Sequence, residues 1–147
     1  MTTAVGYEGP LFLGIDGGGS KCRVILTTAD NQVVGEGLSG PANPLRGMKV
    51  ATDSILSATH QALTCAGLAH RDIDQLVVGA GLAGVNMPEY FRIFSEWQHP
   101  FKAMYLTSDL HVACIGAHQG GDGAVIIAGT GSCGLADVKG EIIEVGG

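Results

Sequence analysis

Apolar residues fall in short bursts along this chain, and the spacing inside each burst predicts an element. Leu11 to Ile15 is an apolar run that stops at Asp16 and three glycines, and a second β-rich run opens at Cys22. Runs this short, bounded by glycine, predict strands. So few residues between them predict a hairpin, in which glycine lets the backbone reach positive φ. Gln32–Gly37 predicts a third strand after an Asp30-Asn31 turn, completing a meander. Gly40-Pro41-Ala42-Asn43-Pro44 is a rigid turn cluster. From Gly47 to Ala66 the period changes. Met48, Ala51, Ile55, Ala58, Ala62 and Ala66 recur at helical spacing with Gly67 as a stop, and their small size predicts close packing against a sheet. The remaining pattern predicts a strand at Gln75–Ala80, a helix at Pro88–Glu96, a strand at Ala103–Thr107 and a helix capped by Ser108 that runs to Ala117. After a Gly120–Gly123 turn come strands at Ala124–Ala128, Gly134–Asp137 and Ile142–Val145. Met1–Pro10 reads as a loose tail. The order is βββαβαβα followed by the start of a second βββ meander, an α/β fold whose repeat is cut short.

Composition narrows the class. At 147 residues the chain is one domain, or one and a fragment. A hydrophobic content of 46% with 15% charged residues fits a buried α/β core and excludes disorder. The net charge of −6, without a Lys/Arg cluster, speaks against a nucleic-acid partner. Cys22, Cys65, Cys114 and Cys133 show no paired spacing, so neither zinc nor a disulfide framework is indicated, and they read as reduced thiols of a cytoplasmic protein. No apolar stretch approaches a membrane span, and no membrane partner is expected.

The chemistry concentrates in glycine loops. Asp16-Gly17-Gly18-Gly19-Ser20-Lys21 sets bare backbone amides beside a hydroxyl and an ammonium, a cradle for phosphate. Asp16 at its mouth suits Mg²⁺. The alternative is a glycine-rich hairpin with Asp16 bonding its own turn. The loop lacks glycine before its lysine, so it is not a Walker loop, and it leads into a strand, so it is not a Rossmann start. Gly129-Thr130-Gly131-Ser132 repeats the same physics in the second meander, or is a plain turn. Asp109 stands where a strand gives way to a helix, the ligand edge of an α/β sheet, or else only stabilises the first helical turn. His111 could assist it or lie on the helix surface. Gly79-Ala80-Gly81-Leu82-Ala83-Gly84 matches a dinucleotide fingerprint, but Pro88 falls where its helix should be in mid-course.

Taken together, the Asp16–Lys21 loop, the Gly40–Pro44 turn, Asp109 and the Ala128–Ser132 loop resemble the BadF/BadG/BcrA/BcrD ATPase family of the actin–hexokinase–Hsp70 superfamily, and within it bacterial N-acetylglucosamine and glucosamine kinases. The resemblance implies a ribonuclease-H-like first lobe over residues 1–121 and the start of a second over 122–147. It implies ATP and Mg²⁺ as cofactors, an amino sugar phosphorylated on its 6-hydroxyl, and a homodimer when full length. It gives Asp16 the metal, Gly18, Gly19, Ser20 and Lys21 the β- and γ-phosphates, and Gly129, Thr130, Gly131 and Ser132 the second phosphate loop. Asn43 and Thr130 would contact the sugar, and Asp109 would take the hydroxyl proton. Cys133 stands where mammalian relatives carry Asn, which makes glucosamine credible beside the N-acetyl sugar. Two other outcomes are an ATPase activator of a dehydratase or reductase, and a sugar- or nucleotide-binding module without turnover.

Overall fold

A computed structural model describes residues 2–4, 7–128 and 132–146. Two short strands, Thr2–Ala4 (β1) and Tyr7–Glu8 (β2), pair antiparallel at the start. The expected loose tail is thereby corrected. Tyr7 ties this ribbon down, because its hydroxyl donates to the carbonyl oxygen of Ala66 at 2.9 Å while its ring packs on the core.

Leu11–Gly17 (β3), Cys22–Thr28 (β4) and Val33–Ser39 (β5) form the predicted meander. Leu76–Leu82 (β6) and Ala103–Ser108 (β7) add to it in parallel, giving the order β5-β4-β3-β6-β7. Parallel neighbours need crossovers, and helices supply them. Met48–Cys65 (α1) precedes β6, Pro88–Ser95 (α2) joins β6 to β7, and Asp109–His118 (α3) follows β7. Single 3-10 turns at Pro44–Arg46 and His70–Gln75, which the pattern did not announce, flank α1. Gly123–Ala128 (β8), Ser132–Val138 (β9) and Glu141–Gly146 (β10) form a second antiparallel meander in a sheet of their own. The βββαβαβα order and the second meander are as expected.

Strand alternation assigns the faces. Leu11, Leu13 and Ile15 of β3, with Val24 and Leu26 of β4, are buried on the side that α1 covers. The buried stripe of α1 includes the predicted Ala51, Ile55, Ala58 and Ala62. Its closeness to β5 has a specific cause. A Cβ at Gly35 would overlap the carbonyl oxygen of Ala62, and one at Gly37 would overlap that of Ala58. Alanine on the helix and glycine on the strand let the two backbones touch.

The opposite face carries Phe12, Gly14 and Asp16 beside Val77, Gly79 and Gly81. At its C-terminal end Val112 of α3 fills the space a Cβ at Gly81 would need. Further down, around Phe12 and Tyr105, the same face is an open groove of about 490 Å³. The other flank of α3 sets Leu110 and Cys114 against Leu135, Val125 and Cys133 of the second sheet. So α3 packs against both sheets, with Val112 toward the first and Leu110 and Cys114 toward the second, while Ile115 stays exposed.

Cys22 and Cys114 are buried and Cys65 is exposed; all four cysteines are free. Burial pushes the Cys22 thiol up to about 11, against a bond with Ser39 and helped by the charge of Asp16. Among the described residues no helix is long and apolar enough to cross a membrane.

Candidate functional site

Because β3, β6 and β7 are parallel, their C-terminal ends share one edge, where ligands of α/β sheets bind. The register sets Asp16 level with Gly81, and Gly81 level with Thr107. Adjacent strands lie about 4.8 Å apart, so Asp16 and Thr107 stand about 10 Å apart across the sheet. Asp109, the first residue of α3, follows two positions after Thr107.

The Asp16 loop is tightly closed. Gly17 pairs with Cys22, and the Gly18 amide donates to the Lys21 carbonyl at 2.8 Å. Two neighbouring connections are sewn to it: Ala42 N donates to Gly18 O at 3.0 Å, and Ala83 N donates to Gly17 O at 2.7 Å. The glycines do not turn the chain by a left-handed conformation, as the hairpin reading expected. None of Gly17, Gly18 and Gly19 adopts positive φ. Gly17 is needed for packing, since a Cβ there would lie 2.6 Å from Leu82 Cδ2 and 2.9 Å from Ala42 Cβ. Gly19 is needed for neither, because nothing lies within 4 Å of where its Cβ would stand. Its bare backbone faces open space, as a cradle requires.

Asn43 sits at the same junction. Its Oδ1 accepts from Leu45 N at 2.9 Å, capping the Pro44–Arg46 turn, and a Cβ at Gly84 would come within 3.0 Å of that oxygen. Gly84 has φ 85, a left-handed conformation that suits glycine. The dinucleotide alternative falls here: Gly79 and Gly81 lie inside β6, and the next helix starts only at Pro88.

Asp109 combines both of its expected settings. Its Oδ1 accepts from Leu110 N at 2.9 Å, and Ser108 caps α3 as anticipated, accepting from His111 N at 3.1 Å. Burial holds the Asp109 carboxyl above the usual carboxylate range; the Leu110 bond opposes this, and the nearby charges of Asp16 and Glu144 reinforce it. A cavity of about 220 Å³ opens in front of it, lined also by Gly84, Asn86, Ser108, Cys133 and Glu144. Asn86 and Glu144 carried no signal in the sequence, because only the pairing of β9 with β10 brings Glu144 to this edge. Ser132 opens β9 opposite Ala128, whereas Gly129, Thr130 and Gly131 of the second glycine loop lie outside the described residues.

Three carboxylates, Asp16, Asp109 and Glu144, therefore gather at one edge. Among the described residues there is no group of three side chains able to hold a metal ion. A cation here would rest on one carboxylate, water and ligand oxygens, the manner in which Mg²⁺ is commonly bound. A larger open groove of about 820 Å³ runs along α1 past His60, Gln61, Cys65 and His70; it shares no residue with the loops and is not the candidate site.

The motif set and the topology agree with a sequence match over residues 13–147 to one family model. The chain belongs to the BadF/BadG/BcrA/BcrD ATPase family. Two curated relatives are sugar kinases. Glucosamine kinase GspK of Vibrio cholerae is 42% identical over 136 residues, which is 92% of this chain and 46% of that protein. N-acetylmuramic acid/N-acetylglucosamine kinase of Clostridium acetobutylicum is 29% identical over 126 residues, 82% of this chain and 40% of that one. A solved structure of a candidate N-acetylglucosamine kinase from Chromobacterium violaceum superposes with a TM-score of 0.85 at 28% identity, covering 92% of this chain and 48% of its own. The chain spans less than half the length of the curated relatives it matches. What this part of the BadF/BadG/BcrA/BcrD architecture carries is the first sheet, its three helices and the opening meander of the second.

Proposed function

We propose that the complete chain transfers the γ-phosphoryl group of ATP to the 6-hydroxyl of an amino sugar, glucosamine or N-acetylglucosamine. The observation that carries this is Asp109, half-buried at the ligand edge, beside a cavity of about 220 Å³ and electrostatically coupled to Asp16 of the glycine loop. In support stands the 42% identity to a glucosamine kinase.

In this mechanism Asp109 accepts the hydroxyl proton as the sugar oxygen bonds to the γ-phosphorus and the bond to the β–γ bridging oxygen breaks, releasing ADP. A carboxylate raised by burial is a stronger base than a solvated one. Gly18, Gly19, Ser20 and Lys21 line the phosphates from one side, and Gly129, Thr130, Gly131 and Ser132 from the other, with Thr130 also near the sugar. Asp16 would hold Mg²⁺, which when bound would neutralise phosphate charge. Asn43, its Oδ1 already committed to the turn, turns Nδ2 to a sugar hydroxyl. Cys133 in the cavity wall is a weak hydrogen-bond partner, which favours glucosamine. Residues 1–121 form the first lobe and 122–147 open the second, in a cytoplasmic homodimer.

A coupled assay of ADP release with glucosamine, N-acetylglucosamine and glucose tests this. Sugar-dependent ADP release with the 6-phosphate as product is expected; sugar-independent release, or none, would overturn it. Gly19→Ala provides a second check. The vacant space at Gly19 means the fold should be as stable as before, while the added methyl stands in the phosphate cradle. The Kd for ATP, by calorimetry, should rise by about 10-fold, the equivalent of about 1.4 kcal/mol.

A further inference from the structure

The helix-surface alternative for His111 does not hold. Its ring bridges two elements, with Nδ1 2.8 Å from Thr107 Oγ1 and Nε2 3.3 Å from Asp137 Oδ2. The His111 and Asp137 side chains are only 19% and 21% exposed. We propose that His111 is a positioning residue that clamps α3 to the second sheet, so that the base and strands β8 and β9 move as one body; this rests on the kinase function proposed above.

The tautomer with its proton on Nε2 satisfies both ends: Nε2–H donates to the Asp137 carboxylate, and the Thr107 hydroxyl donates to Nδ1. Asp137 pairs with Gly123 of β8 and Ile142 of β10, so the clamp engages all three strands at one end of the sheet, the end away from Ala128 and Ser132. Two further contacts continue the same line. Cys114 Sγ donates to Gly123 O at 3.6 Å, and His118 Nε2 donates to Ala124 O at 2.9 Å. Residues three and four apart share a helix face, so 111, 114 and 118 form one stripe along α3. A Cβ at Gly123 would overlap the His118 ring, which leaves glycine as the residue that admits it.

On the opposite flank Val112 seats α3 against Gly81 of the first sheet. Asp109 lies two residues before His111, and Ala128 and Ser132, which flank the second glycine loop, belong to the clamped sheet. Phosphoryl transfer depends on alignment, and a misplacement of about 1 Å can cost about 10²-fold in rate. Holding the base and the second sheet in one unit removes that freedom.

The test uses the complete chain with His111→Ala, Asp137→Ala, both together, and His111→Gln. Each single alanine variant should lower kcat about 10-fold with KM values for sugar and ATP within about two-fold, the scale of losing one charge-assisted bond. The double variant should be no worse than either single one. Gln, which still donates to Asp137, should recover part of the loss. Amide hydrogen exchange gives a readout independent of turnover: residues 123–146 should exchange faster in His111→Ala while 11–39 stay unchanged. Normal kcat with unmoved exchange, or losses that multiply in the double variant, would overturn the clamp. Exchange that responds in a protein without sugar-dependent turnover would uphold the clamp and sink the kinase function instead.

Discussion

Asp109→Asn should lower sugar-dependent turnover by about 10²–10⁴-fold, the range for losing a positioned general base. The amide keeps the size of the carboxyl and can still accept from Leu110 N, so sugar and ATP should bind with little change in KM. The same substitution should stabilise the fold. A carboxyl whose pKa is raised on folding is held best in its protonated form. Its contribution is fully present below the ordinary carboxylate pKa and is lost as pH rises through the folded value, so above that value the native protein carries a half-buried charge at a cost. Urea denaturation should therefore find Asp109→Asn more stable than the native chain at neutral pH, with the difference fading at about pH 3, below the unperturbed Asp value. Near-normal turnover would reduce Asp109 to a helix-capping residue. A native chain more stable than the variant at neutral pH would contradict its burial.

Gly37→Ala should be the most damaging small change to the fold. The new methyl meets the carbonyl oxygen of Ala58, a main-chain atom that cannot rotate away. Overpacking of a core costs about 1–3 kcal/mol even where side chains can yield, and here α1 itself must lift from β5. Gly79→Ala is the matched control, on the open face with nothing within 4 Å of the added atom. Urea midpoints should fall sharply for the first and hold for the second. Equal midpoints would mean that α1 does not sit on the β4–β5 hairpin at the distance described.

Much of this architecture was legible because it is local. The short apolar runs, the helical period of α1, the Ser108 cap and the Gly67 stop are each written within one element, and the structure follows them to within a few residues. The small-residue stripe on α1 foretold close packing, but not that Gly35 and Gly37 were its counterparts, since pairing across separate elements leaves no periodic mark. The site was legible as motifs and illegible as geometry. Asp16 and Asp109 announce themselves by their place at strand ends. Asn86 and Glu144 do not, because tertiary pairing alone brings them to the cavity, and neither does Asp137, which only the packing of β9 brings to His111. The amino-terminal ribbon was missed for the same reason: its anchor, the Tyr7 bond to Ala66, joins residues 59 positions apart. The loop glycines stand where expected without the positive φ expected of them: Gly17 keeps space clear for Leu82 and Ala42, and Gly19 leaves its backbone bare.

The position of α3 between two sheets also dictates an order of assembly in time. The pairing of β3 with β4, of β4 with β5 and the seating of α1 on β5 all lie within the first 65 residues, and such short-range contacts form fast. β6 and β7 then wait only for parallel pairing with β3. Helix α3 cannot finish there, since Leu110 and Cys114 have their partners on β8 and β9, which leave the ribosome later. Until those strands arrive, a newly made chain presents an oily helix flank to the cell, and that interval is when a chaperone would have most to hold.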